Sequence, residues 1–217
     1  MTRAHLRSAT LIAATFVVSV AATRARPAHA PAVDRAIDPA TEFLAALRAH
    51  CGKAFAGEII NPQPADSAMR GQALVMHVRG CGDTVRIPFH VGTDRSRTWV
   101  FTKTVEGTAA GARLKHDHRH EDGSEDRVTQ YGGDALPGGT DRLMAFAADS
   151  FTAALLPASR TNVWTVEITP TRFVYQLTRT GSDRRFRVEF DLTKPVQVPP
   201  APWGSGAASI DGPDHAE

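Results

Sequence analysis

From residue 74 onward, apolar and polar side chains alternate with period two in one short stretch after another. Leu74, Met76 and Val78 share a face. Val85, Ile87, Phe89 and Val91 alternate with Arg86, Pro88 and His90. Trp99 and Phe101 alternate with Val100 and Thr102, and Trp164, Val166 and Ile168 with Thr165 and Glu167. Phe173, Tyr175 and Leu177 follow, then Phe186, Val188, Phe190 and Leu192 between Arg185, Arg187 and Glu189. Successive strand residues point to opposite faces, so each stretch reads as a half-buried strand. Gly80-Cys81-Gly82-Asp83, Gly92-Thr93-Asp94 and Gly181-Ser182-Asp183 supply turns between them.

Two helices interrupt the pattern. Thr41 precedes Glu42 and the stripe Phe43, Leu44 and Leu47, which predicts a short helix that Gly52 stops. A strand is expected over 54–60. Asp149 or Ser150 can cap a second helix over 151–156, which Pro157 ends. About nine or ten sequential strands with short connections favour an antiparallel meander. A sheet that long tends to curl, and closure removes its exposed edges. The expected fold is therefore mainly β, an antiparallel up-and-down β-barrel with a short N-terminal helix. A two-sheet β-sandwich is the alternative.

The ends of the chain change the picture of charge and compartment. Arg3, His5 and Arg7 precede an uncharged small and apolar run, Ser8 to Ala22, and Ala28-His29-Ala30 offers a cleavage site. Residues 1–30 thus read as a secretory signal peptide, with a run short for a membrane span. Removing them takes away four arginines and leaves 21 basic against 23 acidic residues. No basic footprint for nucleic acid remains, and no stable membrane span is expected after cleavage. Residues 31–40 read as a linker, 41–194 as one β domain, and the Pro-, Gly- and Ala-rich 195–217 as a disordered tail in which Trp203 alone is suited to dock. Cys51 and Cys81 are the only cysteines, so one intramolecular disulfide is possible. A secreted or periplasmic location would favour it.

The candidate chemistry lies at Leu114-Lys-His-Asp-His-Arg-His-Glu121. In a strand His116, His118 and His120 share a face with Leu114, while Lys115, Asp117, Arg119 and Glu121 take the other. Asp122-Gly123 is a two-residue hairpin signal. Pairing Glu121 with Ser124 sets His120 opposite Glu125, Arg119 opposite Asp126, His118 opposite Arg127, His116 opposite Thr129 and Leu114 opposite Tyr131. Three readings of this face compete. His116, His118 and His120 could ligate zinc or copper, serving a metal-dependent enzyme or a metal-binding protein. His116, His118, Arg127, Thr129 and Tyr131 could line a cavity and hold the anionic or hydrogen-bonding head group of a small-molecule ligand. Or the imidazoles could be satisfied by their neighbours in a structural envelope protein without a ligand. No nucleophile elbow, zinc-protease motif, P-loop or dinucleotide fingerprint is present, so no catalytic residue is assigned.

The strand pattern resembles the lipocalin and fatty-acid-binding superfamily, whose barrels enclose one small ligand. Those families usually open with Gly-x-Trp on the first strand, where this chain has Phe55-Ala56-Gly57-Glu58. The segments LKHDHRHEDGSEDRVTQYGG (114–133), TNVWTVEITP (161–170) and RRFRVEFDLTKPV (184–196) resemble a group of uncharacterised bacterial secreted proteins. The first resemblance implies a secreted, lipocalin-like protein binding a small amphipathic molecule. The second implies export and a shared fold.

Overall fold

The computed structural model describes residues 38–106 and 109–205. The expected signal peptide, the expected linker up to residue 37 and the tail from 206 onward lie outside the described residues. The strands are β1 (Ala54–Ile59), β2 (Leu74–His77), β3 (Gly80–Cys81), β4 (Thr84–Val91), β5 (Asp94–Glu106), β6 (Ala109–His118), β7 (Tyr131–Asp134), β8 (Leu143–Ala147), β9 (Asn162–Ile168), β10 (Arg172–Arg179) and β11 (Arg185–Val196). They form one antiparallel sheet in the order β7-β6-β5-β4-β2-β1-β11-β10-β9-β8, with β3 added beside β4. Read round that path, and leaving the two-residue β3 aside, successive strands lie side by side and β11 returns to β1. This is the up-and-down barrel, and the single sheet displaces the sandwich alternative.

The ring closes between β7 and β8 on little pairing. Ala135 and Phe146 form a single bridge. The Leu136 and Asp149 amides donate to the carbonyls of Ala145 and Gly132, at 2.7 and 2.9 Å. The seam depends on Gly133: a Cβ there would stand 1.9 Å from the Ala147 carbonyl oxygen. Only a residue without a side chain lets the two edges approach so closely.

Helix α1 (Pro39–Arg48) begins just before the expected Thr41. Asp38 is its N-cap, its carboxylate accepting from the Thr41 amide at 3.0 Å, and Pro39 opens the first turn. The stripe Phe43, Leu44 and Leu47 is fully buried. Phe43 meets Phe101 of β5 and Phe146 of β8, with ring centroids 6.2 and 6.4 Å apart. Lys103 ties the start of the helix to β5 through Thr41 Oγ1 (2.7 Å) and Asp38 (3.3 Å). Just beyond the other helix end, Cys51 is bridged to Cys81, with Cα atoms 6.1 Å apart. Helix α2 (Ser150–Leu155) is capped by Asp149, as its sequence suggested.

Residues 195–205 depart from the expected disordered tail. Pro195 and Val196 pair with Phe55 and Ala54. Trp203 then donates its amide to the Arg95 carbonyl (3.1 Å), and the Arg95 guanidinium donates to the Ala201 carbonyl (2.9 Å). Ala54 also pairs with His77. The chain between Val196 and Trp203 therefore crosses the outer face of β2 and β4, where His77 and His90 are only 8 % and 3 % exposed. Pro202 is buried, and Trp203, half-buried, lines a surface depression together with Pro88, Thr98 and Asp117. Proline pre-sets the extended backbone such a crossing needs, which lowers its ordering cost.

Candidate functional site

Strands β5 and β6 carry the barrel interior from one chemistry to another. Phe101 pairs with Leu114 at the level of α1. Two residues back along β5, Trp99 pairs with His116, and two further back Arg97 pairs with His118. At roughly 3.3 Å per residue each step is about 7 Å along the strand. The helix fills the first level, and a cavity of about 160 Å³ occupies the levels beyond it. Trp99, Trp164, Tyr131, Tyr175, Phe89 and Phe186 wall it, with His116 and His118 among them. A 3₁₀ turn at Pro64–Met69 contributes Ala65, Asp66 and Met69. Arg97 and Arg184 complete the charged part of the lining.

The polar groups form a connected chain. His116 Nδ1 lies 3.0 Å from the Tyr131 carbonyl and must carry the proton that bond requires. Burial pushes its pKa down to about 3, against the pull of that carbonyl, so the ring is neutral at pH 7. Its Nε2 then accepts from the Tyr175 hydroxyl, 2.7 Å away. Burial raises the Tyr175 phenol well above its ordinary range, with Tyr131 adding to the effect. His118 Nε2 is 3.1 Å from the Tyr131 hydroxyl. Burial, and then Arg97, lower His118 to about 4, while burial lifts Tyr131 to about 12. At neutral pH none of the four rings bears charge.

The rings are stacked as slabs. Tyr131 lies on His116 with centroids 4.4 Å apart and planes at 9°. Trp99 stacks between Phe89 (4.9 Å, 12°) and Tyr175 (4.4 Å, 19°). The two guanidiniums have partners of their own. Arg97 donates to Asp94 at 2.5 Å, and Arg184 pairs with the buried Asp66 at 2.7 Å. Asp66 also accepts from the Gln63 amide (2.9 Å), so Arg184 holds the turn over this part of the barrel.

The histidine hairpin differs from the expected register. His116 faces Tyr131 and Leu114 faces Gly133, a shift of two residues. Near the turn, Arg119 bridges to Glu125 in place of Asp126, and their side chains pair at 3.0 Å. The residues between leave the ladder: Asp126 caps the Val128 amide, and Gln130 takes a left-handed φ of 58°. A shift of an even number of residues keeps each side chain on its face. His116, His118 and Tyr131 therefore still converge inside.

Other expected members of the site are elsewhere. Arg127, expected opposite His118, lies in the excursion and is exposed. Thr129 is buried, but its hydroxyl accepts from the His118 amide at 2.8 Å and replaces a missing ladder bond. His120 sits exposed in the turn, and both ring nitrogens of His116 are engaged. The histidine triad expected for zinc or copper is thus not assembled, and among the described residues no group of three or more His, Cys, Asp or Glu is placed to hold a metal ion.

Trp99, Trp164, Tyr175, Arg97, Asp66 and Arg184 were not foreseen as site residues. The first three stood on the inward faces of predicted strands, so their alternation could have indicated them. Asp66 lies in a stretch without periodicity and carries no such signal. Broader depressions on the outside of the molecule are lined by exposed side chains such as Val105 and Leu136, or by Arg172 and Glu189. No protein-family model, curated protein or solved structure matches the chain.

Proposed function

We propose that the protein is an exported binding protein that holds a small amphipathic molecule inside its barrel. The cavity carries this reading: about 160 Å³, walled by aromatic rings, with hydroxyl and imidazole groups at one edge. Pockets for drug-sized ligands run to roughly 300–1,000 Å³, whereas a cavity of about 150 Å³ accepts benzene. The ligand is accordingly a single-ring compound or one of similar bulk, not a fatty acid or a haem. Export is supported by the Cys51–Cys81 bridge, which suits an oxidising compartment, and by the signal-like residues 1–30. Native mass spectrometry of protein purified from its source tests the reading. The expected spectrum contains a complex heavier than the cleaved chain by the mass of one small organic molecule, lost on mild activation. A spectrum of bare chain, with no single-ring compound binding on titration, would overturn it.

A further inference from the structure

We infer that the cavity selects an uncharged, planar, single-ring aromatic with one hydrogen-bonding group, and rejects the same ring bearing a carboxylate or an ammonium. This rests on the binding reading above and gives it a ligand class.

Three observations lead there. The volume of about 160 Å³ admits one ring with a short substituent. The wall is aromatic, with Trp99, Trp164, Tyr131 and Tyr175 among its residues, and such rings pack favourably against another aromatic ring in offset or edge-to-face geometry. The third observation is the charge balance of the lining. Its cations, Arg97 and Arg184, are each engaged by a carboxylate, Asp94 and Asp66. A carboxylate entering the cavity would give up its water and meet guanidiniums whose charge Asp94 and Asp66 already balance. An ammonium would meet carboxylates balanced in the same way by Arg97 and Arg184. A buried charge without a partner is strongly disfavoured.

A neutral hydroxyl or amine meets a different site. His116 is saturated, with one nitrogen on the Tyr131 carbonyl and the other on Tyr175. Tyr131 and neutral His118 together hold two protons and three lone pairs, and their mutual contact uses one of each. One proton and two lone pairs remain, whichever partner donates. The pair can therefore serve a ligand that donates or one that accepts, without any change of charge.

The test uses four probes of nearly the same shape: benzyl alcohol, benzylamine, benzoate and toluene. Each is titrated calorimetrically into the cleaved, disulfide-bonded protein at pH 7. Benzyl alcohol is expected to bind at least tenfold more tightly than benzylamine or benzoate. Tyr131→Phe keeps the ring and removes the hydroxyl, so it should weaken benzyl alcohol about fivefold and leave toluene unchanged. Benzoate or benzylamine binding as tightly as benzyl alcohol would overturn the neutral-ligand inference and leave the cavity reading standing. Failure of all four probes with folded protein would remove both. If Tyr131→Phe does not fold, the charge series on the unaltered protein decides alone.

Discussion

The barrel interior has two levels that obey different rules. Around α1 it is a dry apolar contact of Phe43, Leu44, Leu47, Phe101 and Phe146, all essentially without solvent exposure. About two strand steps away, the same sheet encloses His116, His118, Tyr131 and Tyr175 in a partly empty space. The first level is stabilised by close packing, in which every side chain is interchangeable with another of the same volume and shape. The second is held by three hydrogen bonds among these four residues and by two ion pairs, each of which needs a particular partner, and it leaves room. A polar network is a poor way to fill a core, because any unsatisfied member costs more than its bond contributes. Its presence beside a fully apolar level is what the proposed binding role rests on.

The comparison breaks most readily at the helix. Phe43→Ala should cost about 3–5 kcal/mol in chemical denaturation, through lost burial and the cavity left among Phe101 and Phe146. Benzyl alcohol affinity of the folded fraction should be unaltered; a parallel loss of binding would mean that the two levels are not separable. Next in size is the bridge. Replacing Cys51 and Cys81 by serine opens a loop with a sequence separation of 30 residues, expected to cost about 3–4 kcal/mol. Since Cys51 follows α1 directly, exchange protection should fall in the helix before it falls in β6 and β10.

Acid should act on the second level selectively. The folded pKa values of His116 and His118 lie at about 3 and 4, below the ordinary 6.5. The unfolded chain then binds protons that the folded chain refuses. Their contribution is intact above pH 6.5 and declines as pH falls toward 3, by at most about 1.4 kcal/mol per pH unit for each histidine. His90, at about 4 beneath the C-terminal segment, adds a similar loss, and His50 and His77 are lowered as well. Denaturation midpoints measured between pH 4.5 and 7 should slope more gently in His118→Asn than in the parent. Phe43→Ala should shift that curve downward without changing its slope. An unchanged slope in His118→Asn would show that His118 is not held neutral.

The smallest effect sharpens the comparison most. Tyr131→Phe should cost about 0.5–1.5 kcal/mol, the net value of one hydrogen bond to His118. A far larger loss would make the hydroxyl a structural keystone and not a ligand-facing group.

The fold was legible because local patterns repeat. Alternation placed Trp99, Trp164, Tyr175 and Phe190 on inward faces, and the stripe Phe43, Leu44 and Leu47 announced the helix. Asp149 announced the cap of α2, and two cysteines allowed one pairing. The same alternation put the histidines inside, and it survived a wrong register because a shift of two preserves the face. These are properties of neighbouring residues, which the sequence contains in full.

What tertiary structure decided were encounters between distant residues. The turn chemistry at Asp122-Gly123 did not propagate: Tyr131–Asp134 pairs two residues further along β6, and Arg127 lies exposed in the excursion between. His116 is bonded to Tyr175 across 59 residues, and the Asp66–Arg184 pair joins residues farther apart still. The Pro-rich segment is tied to Ala54 of β1 at one end and to Arg95 of β5 at the other, anchors brought within reach of one another only once β2 and β4 are paired between them. The cavity itself belongs to no segment. Its volume is the remainder left when a ten-residue helix fills one level of a ring whose size follows from how its strands close, and no local sequence pattern encodes a remainder.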